Sequence, residues 1–393
     1  MSATSTLGPA PKRIIDLSSF TPLEEGGLNS HERLWRDHWQ FFEDQGYVLR
    51  RRYHPEWIPS WQGTDHNPTR FEDGLEWVRS HLVDAQRISD DSVVVLKLIK
   101  TSIHPHEAEI SQMFSAQALA SDPRNHCVPI YDVLESPLHN DIIFLVMPFL
   151  QDYNDPRFAT VGEGVDCVRQ LLEGVRFLHE QRVAHRDIMN LNFMIDPAPL
   201  VSEPCHPLMP TRSYDTRREV KVSTRTNHPV KYYLIDFGIS RKYPAGCESP
   251  REDPIWGGVK KVPEFHKSND PCDPFPTDVF YVGYLLWEDF VEKCPSFEFM
   301  RSLVADMMQE DPEKRPTMNE VVEVFERIRA CLSTWTLRSR FVHRKDSSIL
   351  GFFRALRHTY RTAEYILKRK PAIPTPSSAR RSSTRPLSLH LSQ

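Results

Sequence analysis

The sequence predicts an α+β protein in two parts: a small antiparallel β-sheet with one helix comes first, and a larger, mainly α-helical part follows. Two observations support this fold class. Between residues 81 and 147, short runs of β-branched and apolar residues alternate with polar turn residues, which is typical of paired strands. After Gly162, apolar residues recur at positions i, i+3 and i+4, as they do on the buried face of a helix. Strands followed by helices indicate an α+β architecture.

The elements of the first part can be placed in order. Asn29 with Glu32 three positions later forms a capping-box pattern, and apolar residues at helical spacing predict one helix that stops at Gly46. Residues 47–53 can form a strand, and residues 54–69, rich in turn formers and tryptophan, predict an ordered loop. The remaining elements are two β-runs within 81–100 joined by a Ser-Asp-Asp turn, a helix over 107–119, and strands over 130–134 and 142–147.

The second part is predicted to contain four main helices. Their apolar residues recur at helical spacing over residues 165–181, 277–292, 297–309 and 318–332. Residues 197–230 interrupt this part with a proline-rich insertion. We therefore predict an N-terminal extension over 1–70, with a loose leader at its start, and one folded unit over 71–335. This unit divides near residue 150, and a basic tail follows over 336–393.

Composition excludes several classes of protein. The 393 residues include 32 prolines and only 15 glycines, and the longest uncharged apolar run, residues 142–150, is far shorter than the roughly 20 residues of a membrane span. The start of the chain lacks the apolar core of a secretory signal, and the seven cysteines include no Cys-x-x-Cys pair. We expect an intracellular, reducing compartment: the cytoplasm, with the nucleus as an alternative.

Charge is divided unevenly along the chain. Residues 338–393 carry thirteen Lys and Arg against two acids, a formal +11, so the other 337 residues carry −15 of the total of −4. In the tail, Phe353, Leu356 and Tyr360 belong to an apolar stripe that predicts a helix, after which residues 371–393 are predicted to be disordered. The stripe can contact an anionic surface, but packing on the acidic body is favoured. Aromatic platforms for nucleic acid are absent, so no nucleic-acid partner is expected.

Three short segments carry the chemistry. Lys97 ends the strand-like run VVVLK, HRDIMNLN spans residues 185–192, and LIDFG spans residues 234–238. In this order and on these elements they resemble the signature of eukaryotic protein kinases. Further matches are VPE at 262–264, DVFYVG at 278–283 and DPEKRPT around Arg315. The resemblance covers about residues 75–335 and implies a two-lobed protein kinase-like fold. The local residue patterns of the sequence are also similar to those of divergent kinase-domain proteins of mushroom-type fungi.

The resemblance implies roles for the polar residues. Lys97 would pair with the α and β phosphates of ATP, and a carboxylate must orient it; Glu109 is preferred to Glu107 because Met113, four residues on, gives it an inward-facing neighbour. Asp187 would orient the acceptor hydroxyl and take its proton. Asn192 and Asp236 would bind Mg²⁺, which prefers oxygen ligands.

Other positions are implied to shape the nucleotide pocket or the fold. The pocket residues are Val83, Val95, Met147, Phe149 in the hinge 148–150, and Met194. His185 and Phe237 are implied to be packing residues without chemistry. Glu264 and Arg315 are implied to form a structural ion pair.

The chain departs from the kinase pattern where phosphate and acceptor would bind. Aligning Val83 with the end of the glycine-rich loop places Glu76, Val78 and His81 at the three glycine positions. Met189 replaces the usual lysine, and Gly257 replaces the threonine that would contact it. Only 36 residues separate Asp278 from Arg315, too few for the helix on which many kinases dock polypeptides.

The sequence therefore predicts a divergent protein kinase that binds Mg·ATP and transfers the γ-phosphate to a serine or threonine hydroxyl of a protein. The missing glycines and Met189 leave a pseudokinase scaffold or switch as the main alternative. A small-molecule phosphotransferase is less favoured, because the Glu264 and Arg315 motifs and the helix at Asp278 belong to protein kinases. The protein substrate is not identified by the sequence.

Overall fold

A five-stranded antiparallel sheet forms the first part of the protein. The computed structural model describes residues 27–374 apart from 248, 256, 257 and 347. The strand order is β1-β2-β3-β5-β4, and every neighbouring pair is antiparallel. The strands are β1 (Tyr47–Leu49), β2 (Leu82–Arg87), β3 (Val93–Lys100), β4 (Asp132–Glu135) and β5 (Ile142–Pro148). Helices α3 (Glu107–Ser115) and α4 (Gln117–Ala120) lie between β3 and β4.

The outer face of this sheet is covered by the segment that precedes it. The single helix predicted before Gly46 is two short helices, α1 (Ser30–Asp37) and α2 (Trp39–Asp44), separated at His38. The Asn29 amide donates to the Glu32 carboxylate at 2.9 Å, as the capping-box pattern predicts. Trp35 and Phe42 are buried against Phe144 of β5. The boundary expected near residue 71 thus falls inside the connection between β1 and β2, and part of the expected extension belongs to the sheet.

Mainly helical structure follows β5. Helix α5 (Val161–Glu180) is buried along most of its length and lies in the larger apolar core. Helix α7 (Pro274–Leu286) continues as a π-helical segment, Trp287–Val291, and Pro295–Met300 is a 3₁₀ helix. The other helices are α6 (Pro263–Lys267), α8 (Arg301–Met307), α9 (Met318–Cys331), α10 (Thr334–Arg338) and α11 (Ser348–Leu367).

Short strands support the loops between these helices. Strand β8 (Phe193–Ile195) lies between β6 (Gln151–Asp152) and β11 (Tyr232–Leu234). The proline-rich insertion contains the hairpin of β9 (Cys205–His206) and β10 (Met209–Ser213). The last pair is β7 (Val183–Ala184) with β12 (Arg241–Lys242).

Helix α11 does not pack in the expected orientation. Phe353, Leu356 and Tyr360 of its apolar stripe are 64%, 56% and 75% exposed, whereas Tyr365 on another face is buried and bonds to Thr224 at 2.7 Å. The favoured interpretation, in which the stripe packs on the body, is therefore wrong for these residues. The leader (1–26) and the end of the tail (375–393), predicted to be loose and disordered, lie outside the described residues.

Two further findings concern the chain as a whole. All seven cysteines are free thiols. Among the described residues, no helix combines the length and the apolar character needed to cross a bilayer.

Candidate active site

A cavity of about 300 Å³ lies between the sheet and the helical part. Its walls combine strands β2, β3 and β5 with the hinge after β5, strand β8 and the segment that leads to Asp236. Of the residues predicted to bind the nucleotide or metal, six line it: Val95, Lys97, Met147, Phe149, Met194 and Asp236.

Lys97 forms the ionic link across the cavity. Its Nζ atom donates to Oδ1 of Asp236 at 2.8 Å and forms a second, shorter ion pair with Glu107. Burial alone would lower the pKa of Lys97, but the two carboxylates raise it above its ordinary value. Lys97 is therefore a permanently charged ammonium at neutral pH, held at a fixed position by helix α3 and by Asp236.

The structure corrects the choice between the two glutamates of α3. Glu107 is 2% exposed and contacts Lys97, whereas Glu109 is exposed on the helix surface. The buried face of α3 consists of positions i, i+3, i+4 and i+7 starting at Glu107, and a residue two positions later lies about 200° around the helix. The expectation for Glu109 relied on Met113 as an inward neighbour, but Met113 is only half-buried.

Val83 is also misplaced by the sequence alignment. It pairs with Leu96 and faces the apolar cluster of Trp35 and Phe144, on the other side of the sheet. Leu82 pairs with Lys97 and lines the cavity instead. Because side chains alternate between the two faces of a strand, an error of one residue in the register moves a side chain to the wrong face.

The connection between β1 and β2, where the family pattern places a glycine-rich loop, is long. It runs from Arg50 to His81, because the edge strand β1 lies far upstream of β2. Trp77, Arg79 and His81 of this connection line the cavity, while Val78 is 97% exposed. Burial lowers the pKa of His81, and the charge of Lys97 lowers it further. Cationic and aromatic side chains thus replace backbone amides at this wall, and no periodic pattern in the sequence marks their positions.

The proline-rich insertion forms part of the same cavity. Pro207 and Pro210 contribute to its lining. Tyr214, at the end of the β9–β10 hairpin, donates to Oδ2 of Asp84 in β2 at 3.1 Å. Asp84 is fully buried and also accepts from Arg50 at 3.0 Å and from Trp77 at 2.6 Å. The insertion therefore connects the helical part to the sheet.

The segment 185–192 is held by buried hydrogen bonds. The carboxylate of Asp278, fully buried in α7, accepts from the amides of His185 at 2.8 Å and Arg186 at 2.7 Å. Arg186 and Asp236 both have positive φ angles, 70° and 66°. Residues other than glycine rarely adopt this conformation, and such strain occurs preferentially at functional sites. Asp187 and Asp236 are thus both positioned by an unusual backbone.

Asp187 and Asn192 form a polar pair. The Asn192 amide nitrogen donates to the backbone carbonyl and to Oδ2 of Asp187, both at 2.9 Å. Burial raises the pKa of Asp187, and the nearby carboxylates of Asp236 and Asp278 act in the same direction, partly offset by His185 and Asn192. A carboxylate with a raised pKa is a stronger base, which suits it to accept a proton.

Oδ1 of Asp187, which forms no hydrogen bond to any described residue, faces the segment after β12. A Cβ atom built on Gly258 would overlap Oδ1 of Asp187, with the sulfur of Met189 4.0 Å away. A glycine at position 258 therefore leaves this oxygen uncovered by a side chain. Gly257, expected at the position of a threonine, lies outside the described residues.

Asn192 and Asp236 offer a donor set that suits Mg²⁺. Asn192 donates through its amide nitrogen, and Asp236 accepts through Oδ1. Among the described residues, the other oxygens, Asn192 Oδ1 and Asp236 Oδ2, accept no hydrogen bond. Lys97 lowers the pKa of Asp236 against the effect of burial, so this carboxylate is ionised at neutral pH. One amide oxygen and one carboxylate oxygen are hard ligands of the kind that Mg²⁺ prefers.

Packing residues occupy the positions implied for them. Phe237 is buried between Phe114 of α3 and His185, with ring centroids 6.0 and 5.1 Å apart. Glu264 forms a two-pronged ion pair with the fully buried side chain of Arg315, at 2.8 and 2.6 Å. The structural role expected for both sets agrees with this geometry.

A comparison with protein families matches the region of the chain that contains this site. The family described as "Protein kinase domain" matches residues 79–298, more than half of the chain. The chain therefore belongs to the protein kinase domain family.

The curated relatives are distant. A "Light-sensor Protein kinase" of Ceratodon purpureus is 21% identical over 256 residues, which is 53% of this chain and 18% of that protein. A "Putative ribosomal protein S6 kinase alpha-2" of Caenorhabditis elegans is 22% identical over 169 residues, which is 42% of this chain and 17% of the relative. The chain thus spans less than a fifth of the length of either relative. A crystal structure titled as the Rad53 kinase domain and SCD2 in complex with AMPPNP has a TM-score of 0.38 and 15% identity, covering 63% of this chain and 86% of that one.

Proposed function

We propose that the chain is a divergent protein kinase that binds Mg·ATP in the cavity and transfers the γ-phosphate to a serine or threonine hydroxyl of a protein. The observation that carries the proposal is the set of contacts at Lys97. One ammonium joins α3, through Glu107, to Asp236, and the polar pair of Asp187 and Asn192 belongs to the same cluster of charges. Membership of the protein kinase domain family supports the reaction class.

Nucleotide binding follows from the cavity lining. Val95, Met147 and Met194 provide apolar surface for a base, and Lys97 provides a fixed positive charge for phosphates. Arg79 and His81 add cationic or hydrogen-bonding groups on the wall that lacks a glycine-rich loop. Mg²⁺, held by Asn192 and Asp236, would neutralise charge on the phosphates.

The transfer step assigns the proton to Asp187. Its carboxylate accepts the proton of the acceptor hydroxyl while that oxygen bonds to the γ-phosphorus, and the bond from the γ-phosphorus to the β–γ bridging oxygen breaks, releasing ADP. The raised pKa of Asp187 favours this acceptance, and Asn192 orients the carboxylate. A protein acceptor is consistent with the relative named as a ribosomal protein S6 kinase.

A nucleotide titration combined with a transfer assay tests the proposal. We expect Mg·ATP to raise the melting temperature of the wild type and of Asp187→Asn, and labelled γ-phosphate to be transferred only by the wild type. Loss of a positioned base lowers rates by about 10²–10⁴-fold. The paired variants are Lys97→Met, expected to lose nucleotide stabilisation, and Lys100→Met, an exposed lysine of the same strand, expected to retain it. No stabilisation of the wild type at millimolar ATP would refute the kinase proposal.

A pseudokinase is the second candidate, and one observation favours it. The backbone of Gly258 lies so close to Asp187 that even a Cβ atom at position 258 would overlap Oδ1, which restricts the space for an acceptor beside the carboxylate. If the protein binds Mg·ATP but transfers no phosphate to any protein or to itself, the nucleotide would serve as a switch ligand. The same titration and transfer assay therefore separates the two candidates.

A further inference from the structure

A second cavity, of about 350 Å³, lies apart from the nucleotide cavity. Three regions of the chain enclose it: residues 156–159 before α5, residues 222–225 at the end of the insertion, and, in the C-terminal region, residues 340–346 and 354–361. No described residue lines both cavities. The function proposed for the first cavity therefore does not explain the second.

The lining of this basic cavity is strongly cationic. Among the described residues, one carboxylate lines it, Asp346, which accepts from Arg157 at 3.0 Å and from Arg354 at 2.9 Å. Glu163, buried nearby, instead accepts from the amides of Ala159 and Thr226 and forms no ion pair with any described residue. The arginines of the lining are Arg157, Arg225, Arg340, Arg354, Arg357 and Arg361.

Arg225 is the central observation. It is 1% exposed and forms no ion pair with any described carboxylate. Two of its nitrogens donate to the carbonyls of Pro156 and Tyr153, at 2.5 and 2.9 Å, but its Nε atom is buried without a hydrogen-bond partner among the described residues. A buried charge normally has a counter-ion, because removing it from water is costly. Arg225 has only carbonyl dipoles and the ring of Phe158, 4.5 Å away.

Three more arginines of the cavity are unpaired. Among the described residues, the side chains of Arg340, Arg357 and Arg361 form no hydrogen bond and no ion pair. Arg354, Arg357 and Arg361 are spaced three and four residues apart, so they share one side of α11. Like charges gathered at one place repel one another unless an anion neutralises them.

Two histidines of the cavity lining, His343 and His358, have pKa values that are lowered first by burial and then by nearby arginines. Burial lowers the pKa of His343, and the charge of Arg157 lowers it further. Burial likewise lowers the pKa of His358, to which Arg340 and Arg361 add. Both rings line the cavity, and with lowered pKa values they add no positive charge of their own at neutral pH.

We propose that the basic cavity binds a compact ligand carrying several phosphate groups. Arginine presents a planar fork of donors that matches phosphate oxygens in pairs, and several arginines around one concave site favour several phosphates over one carboxylate. The cavity volume lies within the range of small-molecule sites. Such phosphates can belong to a free polyphosphate or to the head group of a lipid. In the second case the exposed apolar stripe of α11, on the same helix, can contact the membrane.

Calorimetric titration of the full chain with inositol hexakisphosphate tests the proposal. We expect saturable binding that Mg·ATP does not displace and that Lys97→Met retains. The double variant Arg357→Gln/Arg361→Gln should weaken binding by about tenfold or more, since bonds to charged groups are among the stronger ones. These two arginines are surface-accessible, so this variant avoids the folding risk of changing the buried Arg225.

A matched control separates a built site from general attraction. Lys368→Gln/Arg369→Gln removes the same charge from exposed positions at the end of α11, outside the cavity lining. We expect this variant to bind as the wild type does. Absence of binding by the wild type, or an equal loss in both double variants, would overturn the proposal, as would binding of phosphopeptides alone.

Vesicles distinguish the two sources of phosphate. Phosphatidylcholine vesicles containing phosphatidylinositol bisphosphate are compared with vesicles of equal charge made with phosphatidylserine. Preference for the bisphosphate that is lost in Arg357→Gln/Arg361→Gln and weakened in Phe353→Ser would identify a lipid head group. Binding of inositol hexakisphosphate without such a preference would identify a free ligand, and both outcomes support the site.

Discussion

The two walls of the nucleotide cavity follow the kinase pattern to different degrees. In the wall built from residues 185–192 and Asp236, the positions proposed for the base and the metal ligands keep the residues of the family pattern, although Met189 replaces its lysine. Buried hydrogen bonds to the carboxylate of Asp278 hold this wall. The opposite wall has no glycine-rich loop between β1 and β2, and a long connection supplies Trp77, Arg79 and His81. Groups that must reach a metal or an acceptor at bonding distance retain their identity, while groups that only screen phosphate charge are replaced.

A physical difference explains this contrast. A base and a metal ligand act through one atom at one position, and a displacement of about 1 Å can reduce the rate about a hundredfold. Screening of phosphate charge acts over a longer range and can come from backbone amides or from cationic side chains. The wall formed by Trp77, Arg79 and His81 is therefore compatible with nucleotide binding if Arg79 and His81 contact the phosphates.

The largest effect is expected at the ion pair between Lys97 and helix α3. Glu107→Gln should lower kcat/KM about a hundredfold, because Lys97 loses the partner that positions it. Glu109→Gln is the matched control two positions away and should remain near wild type, since Glu109 is exposed. Steady-state transfer assays of both variants check the comparison; equal effects would contradict the assignment of Glu107.

The comparison of Glu107 with Glu109 also shows how much of the site could be predicted from the sequence. Lys97, Asp187, Asn192 and Asp236 belong to short motifs, and the structure brings all four into one cluster of charges. Glu109 was misassigned because the local sequence does not show which face of this short helix packs inward. In the structure that face carries Glu107, which contacts Lys97, and Phe114, which contacts Phe237.

The wall formed by Trp77, Arg79 and His81 was less predictable for a different reason. Strand β1 has three residues, and 32 residues separate it from its partner β2, so no local pattern marks the pairing. Long connections carry no periodicity, and the positions of Arg79, Pro207 and Tyr214 depend on tertiary contacts. Strands β2 to β5 and the main helices were predictable, while the pairing of β1 and the loops that close the cavity were not.

A second prediction addresses the replaced wall directly. Arg79→Ala should raise the KM for ATP by about tenfold, because a charged donor to phosphate is removed. Arg51→Ala serves as the control, since Arg51 is exposed on the same connection and does not line the nucleotide cavity. An unchanged KM in Arg79→Ala would show that this wall does not contact phosphate, and would sharpen the contrast between the walls.

A third prediction uses the raised pKa of Asp187. A base is active only when deprotonated, so activity falls as pH drops through the pKa of Asp187 in the folded protein. Burial and nearby carboxylates raise that pKa, so the acid limb of the kcat/KM profile should lie at higher pH than for an ordinary aspartate. Asp278→Asn removes one of the carboxylates that raise it and should move the limb to lower pH in whatever activity remains. A limb at the ordinary aspartate value in the wild type would contradict the assignment of Asp187 as base.

The smallest effect is expected where the insertion joins the two parts. Tyr214→Phe removes one hydrogen bond to Asp84, and should lower the free energy of unfolding by about 1 kcal/mol. Asp84 keeps Arg50 and Trp77 as partners, so its charge stays compensated and the loss remains modest. Tyr131→Phe is the control, because the Tyr131 hydroxyl forms no hydrogen bond to any described residue and its ring is 40% exposed. Urea unfolding of both variants provides the measurement. If Tyr214→Phe also raises the KM for ATP while Tyr131→Phe does not, the insertion both stabilises the fold and positions the wall formed by Trp77, Arg79 and His81.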